Sequence, residues 1–143
     1  FANFMDSVRK DLKLKLEQNK NSDITQRLCI YFECFIKEVQ SYKLHIVREW
    51  IKGLVEQNQN NESMGNIKWQ YDFRMLKNII SEAIQNKELK SDTPTDALCE
   101  IILTQMYGML TVWCMSNGDF TPEKMIREFS EIQLKPIIDK YKI

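Results

Sequence analysis

The chain has 143 residues, with 20 Lys plus Arg against 20 Asp plus Glu, so its formal net charge is zero. That length suits one domain with a core of its own, and the balanced charge lacks the basic excess of a free-standing nucleic-acid binder. Hydrophobic residues make up 43% while Gly and Pro number only 4 and 3, which argues against turn-rich sandwiches and barrels.

Residues 1–17 form the first predicted helix, with an apolar stripe of Phe1, Phe4, Met5, Val8, Leu12 and Leu16. This helix has no start signal and the chain opens on Phe1 rather than Met, which suggests a piece of a longer protein. Lys10, Lys13, Lys15 and Lys20 are interleaved with Asp11 and Glu17, the pattern of a solvated face rather than a phosphate track. After a polar break, Ser22 or Asn21 is the expected cap of a second helix over 24–40, which carries Leu28, Tyr31, Phe32, Phe35, Ile36 and Val39. A third helix over 43–57 carries Ile46, Val47, Trp50, Ile51, Leu54 and Val55. The polar segment 57–63 buries too little apolar area to offset the entropy of ordering, and is expected to be exposed and mobile.

The fourth helix, 64–85, repeats Ile67, Trp69, Phe73, Leu76, Ile80, Ala83 and Ile84 at spacings of three and four, with Asn86 as a left-handed cap. Thr93-Pro94 and Thr121-Pro122 each place a capping hydroxyl before a proline at the first helical position, and Asp96 completes an arrangement like a capping box. The fifth helix, 94–117, is apolar nearly all round from Ala97 to Met115 and ends at Gly118. One small domain covers one face of such a helix, so a partner subunit is the natural cover for the other. Gly108 inside it costs about 1 kcal/mol relative to Ala, which close approach of another helix would offset. The sixth helix, 122–141, carries Met125, Phe129, Ile132, Ile137 and Ile138, and Pro136 should kink it. The expected fold is all-α, a six-helix bundle in one domain over 1–143.

The chemistry-bearing residues are sparse. Cys29, Cys34, Cys99 and Cys114 form no C-x-x-C pair and lie in apolar helical runs, so they read as buried reduced thiols of a cytoplasmic protein rather than disulfide or metal ligands. His45 is the single histidine, has no Glu-x-x-His partner, and reads as a surface or helix-start residue. No serine sits in a nucleophile elbow. No catalytic residue, metal site or cofactor is expected, and the chain is not read as an enzyme. No signal peptide and no apolar run long enough for a bilayer are visible, so no membrane partner is expected.

Two sets of residues remain. Tyr31, Phe35, Trp50, Trp69, Phe73, Tyr107 and Trp113, with Met106 and Leu110, could line one pocket, although any one of them is more simply a core residue. Glu33, Glu38 and Glu49 could select a cation if they face inward. On the long helix, Thr104, Gly108, Thr111 and Met115 share one side at helical spacing and suit close helix contact, while Met106, Leu110 and Trp113 lie on a different side.

One stretch resembles a known family. Residues 83–89, Ala-Ile-Gln-Asn-Lys-Glu-Leu, are similar to the helix end, small turn and Glu-Leu of the C-terminal domain of TetR-family regulators, which commonly have Gly where this chain has Lys87. Asp92-Thr93-Pro94 before the long helix, Ala97, Gly108 and Trp113 within it, residues 118–121 after it, and residues 134–138 around Pro136 continue the likeness. The resemblance implies a ligand-binding and dimerisation domain whose last two helices build a homodimer. The dimer interface would use Thr104, Gly108, Thr111, Met115, Phe129 and Ile132. A small, largely apolar or aromatic effector would sit among the aromatic set. Operator DNA would be bound only through an N-terminal domain that this chain lacks, and ligand occupancy would lower operator affinity, as in a repressor. The alternative is a helical protein–protein interaction module whose aromatics are all core; a bundle enzyme or metal carrier is disfavoured by the single histidine.

Overall fold

The computed structural model describes residues 2–56, 64–117, 119 and 121–143, with side chains described for 9–56, 69–117, 119 and 121–143. The expected stripe residues Phe1, Phe4, Met5, Val8 and Ile67, the polar segment 57–63 and the stop at Gly118 lie outside the described side chains.

The fold is an all-α helical bundle. Its elements are α1 (Ala2–Gln18), α2 (Ile24–Gln40), α3 (Leu44–Val55), α4 (Met64–Gln85), α5 (Thr95–Met115), α6 (Pro122–Phe129), a π turn (Ser130–Leu134) and α7 (Lys135–Asp139). No strand occurs among the described residues; Leu89 and Lys142 form one isolated antiparallel bridge. α2 is the central helix, flanked by α1, α4 and α6, and α5 packs along α4. The core is built from Leu28, Phe32 and Ile36 of α2, Leu76 and Ile80 of α4, and Ile102, Leu103 and Leu110 of α5. Each such side chain contributes about 1.5–3 kcal/mol on leaving water.

Helix ends differ in detail from the sequence expectations. Asp23, not Ser22 or Asn21, caps α2, its carboxylate accepting from the Thr25 N–H at 2.8 Å. Ser22 instead offers its carbonyl to Arg27, which also meets Glu88 at 3.1 Å, and Glu88 Oε1 accepts from the Ile24 N–H at 2.6 Å. A carboxylate from the α4–α5 loop thus takes part of the capping role, because it complements the positive end of the α2 dipole.

At the end of α4 the left-handed residue is Lys87, with φ 60°, and not Asn86. Glu88 N donates to Ala83 O at 2.9 Å and Lys87 N to Ile84 O at 3.0 Å, the paired bonds of a Schellman motif. That register places the left-handed conformation one residue after Asn86. α5 starts at Thr95, with Pro94 as its cap; Thr93 Oγ1 donates to Lys90 O at 2.5 Å, so the expected capping box is not formed. Thr121 likewise makes no side-chain cap bond ahead of Pro122.

Pro136 acts as a helix breaker of a specific kind. It has no N–H to donate back, and the helix before it widens into the π turn, with Lys135 N donating to Ser130 O. The long sixth helix of the sequence reading is therefore α6, the π turn and α7 in series.

α5 also corrects the membrane reading on one point. It has 21 residues and a window of mean hydropathy 1.4, so by length and composition it could cross a bilayer, although 44% of that window is buried inside this bundle. Here it serves as a core helix.

Candidate functional site

Four helices bring their aromatic residues to one place. Tyr31 and Phe35 stand four apart on α2, Trp50 comes from α3, Trp69 and Asp72 stand three apart on α4, and Tyr107 comes from α5. Tyr107 is the centre of the group. Its ring centroid lies 5.3 Å from Trp69, 5.6 Å from Phe35 and 6.3 Å from Trp50, all in tilted packing. Such pairs contribute about 0.5–1.5 kcal/mol beyond area burial.

The polar anchor of this group is Asp72, whose exposure is 0%. Tyr107 donates to Asp72 Oδ2 at 2.7 Å, and Tyr31 donates to Oδ1. Burial and the Asp72 charge push both phenols well above the ordinary tyrosine range, so both stay protonated donors at neutral pH. Hydrogen bonds to a charged acceptor are stronger than neutral ones, and this pair joins α2, α4 and α5 through a single carboxylate.

Next to this group, Phe35, Glu38, Val39, Tyr42, Ile46, Val47 and Trp50 line a small cleft, open on one side, of about 30 Å³, roughly one water in size. Glu38 is buried there, whereas Glu33 and Glu49 are exposed. The Trp50 Nε1–H is buried without an acceptor among the described residues. Such an unsatisfied donor costs about 1–3 kcal/mol, which an incoming acceptor would offset.

The sequence-predicted ligand set divides accordingly. Tyr31, Phe35, Trp50, Trp69 and Tyr107 are brought together. Met106 and Leu110 are fully buried core residues of α5, and Phe73 and Trp113 are half-buried with no ring contact to Tyr107 described. Asp72 was missed by the sequence reading. Its signal was present, since it lies between Trp69 and Leu76 on the apolar stripe of its helix.

The opposite side of α5 is open. Thr104, Gly108, Thr111 and Met115 are exposed, as are Ile101 and Val112 on the same side. Ile101 is 44% and Met115 77% exposed. No charged residue occurs in α5 after Glu100. The Thr111 hydroxyl donates to Tyr107 O at 2.8 Å, so it is already satisfied on its own helix. A Cβ placed on Gly108 would meet nothing within 4 Å. Ile132 is 70% exposed on the π turn.

Phe129 departs from the expected interface. It is 4% exposed and packs on Phe32 of its own chain with centroids 5.5 Å apart, so it is a core residue and not available to a partner. α6 turns this ring inward because its neighbour α2 presents an aromatic at the same level.

Arg48 ties the two sides together. From α3 its Nε and Nη2 donate to Cys114 O at 3.1 and 2.9 Å, holding the carbonyl end of α5.

No family model, no curated protein and no solved structure matches the chain.

Proposed function

We propose that this chain is the effector-sensing and dimerisation domain of a TetR-like transcriptional regulator, acting as a repressor and binding a small, largely apolar or aromatic molecule. The observation that carries the reading is the two-sidedness of α5. One side buries Leu103, Met106 and Leu110 in the core, with Tyr107 at its edge in the aromatic group, and the other is an exposed helix face without charge. A contiguous uncharged face of this kind marks an interaction site in a folded domain.

A second copy of the chain is the partner that this reading assigns to that face. The effector enters at Trp50 and Tyr107, where the buried indole N–H supplies a donor and Asp72 an anchored carboxylate. An effector larger than the 30 Å³ cleft that seats between α2 and α3 displaces α3 from α2. α3 can yield, since Val47 is its one fully buried side chain. The Arg48 contact then carries the displacement to the end of α5. In the full regulator, DNA-binding heads on each subunit change their spacing with the dimer, and operator affinity falls.

The small volume of the cleft favours one other reading, a helical interaction module with no small-molecule ligand. Native mass spectrometry of the chain at micromolar concentration separates the two. A dimer that carries or takes up an aromatic ligand supports the regulator. A monomer overturns it, and a dimer that binds no member of an aromatic panel leaves the interaction module.

A further inference from the structure

A second concavity lies on the other side of α2. Cys29, Glu33, Ile36 and Lys37 sit about half a helical turn away from Tyr31, Phe35 and Glu38. Together with α6 and the π turn they bound a groove of about 420 Å³, a volume within the range of small-molecule sites. Ile36 and Ile126 are buried at its base, beside Cys29 Sγ and Ser130 Oγ, which meet at 3.1 Å. Burial pushes the Cys29 thiol above its ordinary value, so at neutral pH this pair presents S–H and O–H groups and no charge.

The walls are charged in a complementary way. α2 and α6 run antiparallel here, because Cys29 and Phe32 meet Ser130 and Phe129 while Gln40 shares the groove with Glu123. Glu33 and Lys37 on one wall therefore face Arg127 and Glu123 on the other, with Glu131 at the rim. Glu33 and Lys37, Glu123 and Arg127, and Arg127 and Glu131 each stand four apart, the spacing that closes ion pairs along a helix. None of the five is ion-paired among the described residues, whereas Lys124 and Glu128, on the same α6 but outside the groove, close at 3.7 Å. All five side chains are exposed at the groove.

We propose that this groove binds a small zwitterion of the dibasic amino-acid class, with one carboxylate and two cationic groups. Three carboxylates and two cations on the walls leave one net negative charge, which a ligand of net charge +1 complements. The ligand carboxylate is taken by Arg127 and Lys37, and its cationic groups by the glutamates. Its aliphatic stem lies over Ile36 and Ile126. A plain diamine meets repulsion from Lys37 and Arg127, and a dicarboxylate meets it from the three glutamates. This site is separate from the aromatic compartment, so it stands or falls independently of the regulator reading.

The test is an amide-correlation NMR titration of the ¹⁵N-labelled chain at low salt with L-arginine and L-lysine, alongside 1,5-diaminopentane and glutarate. The expected result is saturable shifts confined to amides around Cys29, Lys37, Arg127 and Ser130, with a dissociation constant of about 1 mM or tighter. Arg127→Gln and Glu33→Gln, both at exposed positions that leave the fold intact, should each weaken binding by about tenfold or more, as loss of a charge-assisted hydrogen bond does. Absence of saturation by about 10 mM, equal binding of the diamine or of glutarate, or indifference to both substitutions would each overturn the proposal.

Discussion

Replacing Tyr107 by Phe removes the hydroxyl that donates to Asp72 at 2.7 Å and leaves the ring among Phe35, Trp50 and Trp69. Because Asp72 is fully buried, bulk water does not replace the lost donor. A hydrogen bond to a charged acceptor contributes about 1.5–3 kcal/mol, so the expected destabilisation is about 2 kcal/mol. Tyr31→Phe removes the other hydroxyl from the same carboxylate and should fall in the same range. The two changes share a partner and should not add; the double variant should show a coupling of about 0.5–3 kcal/mol. The assay is urea unfolding followed by tryptophan fluorescence at fixed protein concentration, with all variants at the same m-value. Each tyrosine also packs its ring, and Phe preserves that packing, so the measurement isolates the hydroxyl. A loss below about 0.5 kcal/mol for both single variants, the range of an ordinary surface substitution, would refute the argument that this carboxylate ties α2, α4 and α5 together.

The remaining predictions concern pH, the open face and a turn. Tyr31 and Tyr107 have folded pKa values raised above the unfolded value near 10, so their contribution is complete below about pH 10 and is lost as pH rises above it. Cys99, pushed up to about 12 by burial, acts in the same direction from about pH 9. The unfolding free energy from urea titrations should therefore decline in alkali by about 1.4 kcal/mol per pH unit for each titrating group, and Tyr107→Phe should flatten the decline above pH 10; an unchanged slope counts against the assignment. In the monomer, Gly108→Ala should raise stability by about 1 kcal/mol through helix propensity, because its Cβ meets nothing within the chain, whereas Gly108→Leu should keep the helix content and dissociate the proposed dimer in sedimentation. A Gly108→Leu chain that stays dimeric would remove this face from the interface. Lys87→Gly should stabilise the chain by about 1 kcal/mol by relieving the left-handed backbone at φ 60°, read as a higher urea midpoint; a lower midpoint would mean that the Lys87 side chain makes a contact worth more than the strain.

Periodicity alone was enough to place α2 and α4, since a stripe repeating at three and four residues is a direct consequence of the helical turn and needs no partner to be recognised. The uncharged run of α5 and the break at Pro136 were equally local properties. Contacts between elements decided the rest. Phe129 carries the same pattern as a dimer residue, and only the position of Phe32 opposite it turns it into core. Asp72 reads as one polar residue on an apolar stripe until Tyr31 and Tyr107, 41 and 35 residues away in the chain, converge on its two oxygens. The N-cap of α2 was misplaced by one or two residues and the bend after α4 by one, because Glu88 and the Schellman bonds select among several polar residues that local propensity ranks alike. Burial periodicity is written into successive residues of one helix. Which side chain meets which depends on how helices distant in sequence settle against one another, and that was decided by the tertiary packing.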